Sequence, residues 1–129
     1  MKLFCVLVLA LVTLANCTTW VALGPAYLAY PENRPIEIEL RNFSFHPNHI
    51  AVFQNQSPLI FRLTNTANAA HNFTLIDNQE NILLSVDLGP KGSDTVSIKS
   101  LHPGNYTFYC NKFLHRLFGG MEGMLMVTE

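Results

Sequence analysis

Ile36-Glu37-Ile38-Glu39-Leu40-Arg41 alternates apolar and charged side chains without a break. Successive side chains of a β-strand point to opposite faces, so this period of two predicts a strand with one face in a core and the other in water. The same reading extends along the chain. It predicts strands over 50–53, 58–64, where Leu59, Phe61 and Leu63 alternate, 71–76, 81–86, 94–99, with Val96 and Ile98 inward, 105–110 and 123–128. Pro47-Asn48, Gly89-Pro90-Lys91-Gly92 and Pro103-Gly104 mark turns between them. About eight short strands at this spacing define an all-β class, a Greek-key sandwich or barrel. The sequence contains no internal repeat, low-complexity tract or long amphipathic helix, and the loop 112–120 is where function stands out. A fold of this class does not by itself give a function.

The bulk numbers narrow the class further. With 129 residues, 49% of them hydrophobic and 13% charged, the chain reads as one domain with an apolar N-terminus, which excludes disorder and a multidomain enzyme. A net charge of −1 leaves no field able to grip a polyphosphate backbone, so nucleic acid is not an expected partner.

Lys2 precedes an uncharged run from Leu3 to Ala15, whose length suits the apolar core of an export signal and falls short of a membrane span. Leu14-Ala15-Asn16-Cys17 resembles the box before the lipidated cysteine of bacterial lipoproteins, with Asn16 where a small residue is usual. The expected division is a signal peptide or N-terminal anchor over 1–16, an apolar linker or tether over 17–35 and a domain over 36–129. Cleavage before Cys17 would leave a cysteine whose lipid chains hold the protein on a membrane. An uncleaved anchor with Trp20, Tyr27 and Tyr30 at the interface, or simple secretion, are the alternatives.

Chemistry gathers near the C-terminus. The strand Gly104-Asn105-Tyr106-Thr107-Phe108-Tyr109 leads into Cys110, followed by His115 and Met121 on one loop. His71 starts another strand, in Asn68-Ala69-Ala70-His71-Asn72-Phe73, and a sandwich that places this strand near 105–110 completes a set of two His, one Cys and one Met. Thiolate and thioether select copper, and a trigonal plane of two His and one Cys with a weak axial Met is the geometry of a blue-copper electron-transfer site. Singly, each residue has a plainer reading: a buried free thiol for Cys110, polar surface for a loop histidine. His46, His49 and His102 lack partner signals and receive no role. The sequons at Asn16, Asn42, Asn55, Asn72 and Asn105 are set aside, since Asn72 beside a metal leaves no room for a glycan.

From Phe45 to Val127 the chain resembles the cupredoxin family. Phe45-His46-Pro47-Asn48-His49-Ile50-Ala51-Val52, Leu63-Thr64-Asn65 followed by His71-Asn72-Phe73, Pro103-Gly104-Asn105-Tyr106-Thr107-Phe108-Tyr109-Cys110 and Gly120-Met121-Glu122-Gly123-Met124-Leu125-Met126-Val127 fall in the family's order. The resemblance implies His71, Cys110 and His115 as equatorial ligands of one type 1 copper ion, with Met121 axial and Met124 or Met126 the alternatives in principle. It implies that Asn72 ties the first-ligand segment to Asn111. It also implies that His115 turns its free edge to solvent as the electron exit, ringed by Phe113, Leu114, Leu117 and Phe118 with Lys112 and Arg116 at the margin. That ring either docks a partner or folds inward to fill the loop. Two features depart from the family pattern: Phe113-Leu114 stand where Pro-Gly is common, and the run from Arg116 to Gly120 is one residue longer than usual.

The expected function is that of an exported, membrane-tethered blue-copper protein on the periplasmic or extracellular face. It would pass single electrons between redox partners, a cytochrome or an oxidase-like protein, and transform no substrate. The alternative is a copper-binding protein for delivery or resistance.

Overall fold

A computed structural model describes residues 22–28, 34–116 and 120–129. Among these residues ten strands form two sheets: β1 (Tyr27–Leu28), β2 (Ile36–Arg41), β3 (Ser44–His46), β4 (His49–Phe53), β5 (Leu59–Asn65), β6 (His71–Ile76), β7 (Ile82–Leu88), β8 (Ser93–Ile98), β9 (Gly104–Tyr109) and β10 (Glu122–Thr128). One sheet runs β1-β4-β10-β9-β6-β7 and the other β3-β2-β5-β8. The all-β sandwich is therefore as expected, with two strands more. β3 is too short to show a period, and both side chains of β1 are exposed, so neither leaves a hydrophobic signature.

Alternation builds the core. Ile36, Ile38 and Leu40 of β2, Leu59, Phe61 and Leu63 of β5, and Leu125 and Val127 of β10 face inward and are buried between the sheets. Phe45, Phe61, Phe73 and Phe108 interlock at the centre, with ring centroids 5.2–6.0 Å apart. Such pairs contribute about 0.5–1.5 kcal/mol each beyond their burial. The inward alternation of β10 turns Met124 and Met126 to the outer face.

Residues 22–28, expected within a linker, lie along the edge of the larger sheet. β1 pairs in parallel with β4, Tyr27 opposite Ile50 and Leu28 opposite Ala51. Upstream of β1, Asn48 holds the chain with its side-chain amide: Nδ2 donates to the Ala22 carbonyl at 3.1 Å and Oδ1 accepts from the Gly24 amide at 2.8 Å. His49 Nδ1 lies 3.0 Å from the Gly24 carbonyl. Residues 1–16, Cys17, Trp20, Tyr30, Leu117 and Phe118 lie outside the described residues, and with them the lipidation site and half of the expected apolar ring.

Candidate metal centre

β6 and β9 are antiparallel neighbours, Thr74 opposite Tyr109 and Leu75 opposite Phe108. Following that register past the end of β9 brings Cys110 beside the start of β6, which carries His71. The loop after Cys110 then folds back. The His115 amide donates to the Lys112 carbonyl at 3.1 Å, closing a turn with Leu114 at a left-handed φ of 65°. Two further backbone bonds clasp the loop: Cys110 N donates to Met121 O and Met121 N to His115 O, each at 3.1 Å.

The result is a cluster of donors. One ligand atom each from His71, Cys110 and His115 lies within 4.8 Å of the others. The two Nδ1 atoms are 3.2 Å apart, and Cys110 Sγ lies 3.9 Å from His71 Nδ1 and 3.5 Å from His115 Nδ1. Both imidazoles thus turn the same nitrogen toward one sulfur. His71 Nε2 is buried with no partner among the described residues, which leaves Nδ1 as the nitrogen with work to do. Cys110 and Met121 are both 0% exposed, while His115 keeps a partly open surface. Burial, and secondarily the charge of His115, holds the His71 imidazole below its ordinary range and so in the neutral form that a metal requires. Two nitrogens and a sulfur converging from rigid strands, with a thioether residue clasped beside them, fit one type 1 copper ion by donor chemistry.

Polar groups behind the donors fix them. The Asn72 backbone amide donates to Cys110 Sγ at 3.3 Å and so fixes the direction of the sulfur. Asn72 Oδ1 accepts from Asn111, as expected, but from its backbone amide, at 3.5 Å, instead of its side chain. A backbone donor is available whatever residue follows the cysteine, which explains why Asn111 can stand there. Asn72 Nδ2 donates to Asp87 at 3.0 Å and Thr74 Oγ1 donates to Asn72 Oδ1 at 2.5 Å, so the amide is locked and its residue buried, with no room for a glycan.

Three residues escaped the sequence reading. Asn65 is buried and pins the loop that delivers His71: its Nδ2 donates to the carbonyls of Ala69 at 2.8 Å and Gly89 at 2.9 Å, and its Oδ1 accepts from Ala67 at 3.0 Å. Phe43, at the tip of the β2–β3 hairpin, sets its ring edge-on to His115 with centroids 5.0 Å apart, and remains 52% exposed. An apolar side chain at a hairpin tip was its only signal. Asn48, which read as a turn residue, clasps the N-terminal strap.

Phe113 is 86% exposed and Leu114 is exposed beside it, so this part of the ring points outward. The marginal cations are not free. Lys112 pairs with Asp87 at 2.9 Å, and Arg116 pairs with Glu122 at 2.6 Å while lying over the Tyr109 ring. Both charges are therefore paired locally, and Phe43, Phe113 and Leu114 present apolar surface beside His115.

A β-sandwich that gathers sulfur and imidazole donors at one end, from two strands far apart in sequence, has the architecture of small copper proteins. The chain belongs to the cupredoxin-like family: the model of the cupredoxin-like domain matches residues 4–127. No curated protein matches it significantly. Among solved structures it is similar to dithionite-reduced auracyanin from Roseiflexus castenholzii, with a TM-score of 0.64 and 24% identity over 72% of this chain and 95% of that one. Auracyanin A, a blue copper protein from Chloroflexus aurantiacus, gives a TM-score of 0.61 and 17% identity over 74% and 100%. The metal-binding domain of the Cu(I)-exporting P-type ATPase of Streptococcus pneumoniae gives 0.61 and 17% over 81% and 96%. At these identities the likeness speaks for the fold.

Proposed function

We propose that this protein is an exported, mononuclear blue-copper electron carrier, held at a membrane by its N-terminal segment and exchanging single electrons with redox proteins. The observation that carries the reading is the preassembled convergence of His71 Nδ1, Cys110 Sγ and His115 Nδ1 within 4.8 Å. Copper supplies the one-electron couple, Cu(II)/Cu(I). His71, Cys110 and His115 would hold the ion, with Met121 as the fourth, weaker donor. The protein residues keep rearrangement small: the clasped loop and the stiff strands fix the donors, while burial of His71 and Cys110 excludes water. His115, the one partly open donor of the three, offers the exit, with Phe43, Phe113 and Leu114 supplying a dry contact around it. Export and tethering rest on Lys2, the uncharged run Leu3–Ala15 and Cys17.

Copper delivery is the second reading, favoured by the likeness to a domain of a copper-exporting ATPase. Met124 and Met126, the further thioethers that reading would call on, alternate away from the core along β10. Titrating residues 18–129 with Cu(II) tests both. An intense thiolate-to-copper visible band with narrow copper hyperfine splitting, abolished by Cys110→Ser, is the expected result. A weak, ordinary Cu(II) spectrum with ready release of Cu(I) to a chelator would overturn electron transfer in favour of delivery.

A further inference from the structure

The direction in which the N-terminal segment leaves the domain carries a consequence for orientation. β10 begins directly after Met121, so its N-terminal end is the metal end of the sandwich. β4 runs parallel to β10, with His49 opposite Met124, and β1 runs parallel to β4. Residues 22–26 therefore lie toward the metal end. There the Asn48 side chain grips Ala22 and Gly24, while its carbonyl accepts from the Met124 amide at 2.8 Å. β1 is two strands from β10, which places the strap about 10 Å to the side of the line of Met121.

The segment upstream is short. Cys17 lies five residues before Ala22, a reach of at most about 18 Å even when fully extended. The surface at this end carries apolar groups that a bilayer could cover, though Leu28, Phe53 and Ile82 are also exposed toward the other end. Leu23, Phe43, Phe113 and Leu114 are exposed there, and Lys112 and Arg116 are neutralised by Asp87 and Glu122. An apolar face of low net charge is suited to rest against the headgroup boundary.

We propose that the short N-terminal tether and the Asn48 clasp turn the metal-bearing end of the domain toward the bilayer that holds the chain, so that electrons are exchanged with a partner embedded in that same membrane. This rests on the membrane tether proposed above. A tether leaving the opposite end, near Phe53, would point the metal to the aqueous side; the clasp places it otherwise.

The test uses the full-length chain in its Cu(I) form, with Trp20→Phe, in vesicles carrying dansyl-labelled headgroups. Single tryptophans are introduced at the metal end by Phe113→Trp and at the far end by Phe53→Trp, both exposed positions. Energy transfer to the headgroups is expected to be several-fold stronger from position 113 than from 53, and Asn48→Ala is expected to narrow that ratio. Equal or reversed transfer overturns the orientation, as does a chain that fails to sediment with the vesicles. The blue band of each reoxidised variant is read separately; its absence with the transfer ratio intact would indict the copper reading and leave the orientation standing.

Discussion

Leu114 occupies the third position of the turn from Lys112 to His115 with φ at 65°, a region where a Cβ crowds the following carbonyl. For an L-residue this conformation costs about 1–2 kcal/mol, which glycine avoids, though glycine has more freedom to lose on folding. Leu114→Gly is therefore expected to stabilise the copper-free protein by about 1 kcal/mol, read from urea unfolding, with the blue spectrum retained. No gain would mean that contacts of the leucine side chain offset its backbone strain. The family's preference for Pro-Gly at this point thus has a local cause, and this chain meets the same backbone demand with a less suited residue. The donors themselves were legible in the sequence, because His71, Cys110, His115 and Met121 carry distinctive chemistry in a fixed order. Phe43 and Asn65 were not. Their roles depend on which hairpin tip reaches His115 and which loop wraps one amide, and neither relation leaves a mark along the chain.

At the level of elements, β10 shows how tightly the ligand loop is married to the sheet. A Cβ added at Gly123 would meet two atoms of the Phe108 ring at 2.3 Å and the Asn48 carbonyl oxygen at 2.6 Å, distances at which something must move. The obstructing atoms include backbone, and Phe108 is locked among Phe45 and Phe73. Gly123→Ala is expected to destabilise the fold by at least about 2–3 kcal/mol, seen as a lower unfolding midpoint, and to broaden or weaken the copper spectrum because Met121 sits two residues away. An unchanged midpoint would show that β10 can shift freely, contrary to its two-sided pairing with β4 and β9. The strands with clean alternation, β2, β5 and β10, could be read from sequence because one face is dry and the other wet. β1 could not, because it is held by backbone pairing and by the Asn48 amide, with no core side chain of its own.

For the whole molecule, the buried neutral His71 links folding to acidity when copper is absent. Its folded pKa lies below the ordinary 6.5, through burial first and the neighbouring His115 second, so the unfolded chain takes up a proton that the folded one refuses. The contribution is complete above 6.5 and declines as pH falls from there toward the lower folded value. The urea midpoint of copper-free protein is expected to drop between about pH 7.5 and about pH 5.5, and His71→Gln to flatten that drop. A decline of equal size in the variant would assign it to other groups. Above that balance stands the loop between His115 and Met121. Its two ends are stapled together by the Met121 amide on the His115 carbonyl, and Gly120 N returns to Arg116 O at 3.2 Å. Because these bonds join His115 to Met121 and Arg116 to Gly120, the length of chain between them need not be transmitted to the metal centre. An insertion at that point is thereby a change of outline alone: it would alter what a partner meets at the surface and leave the electronic centre as it was.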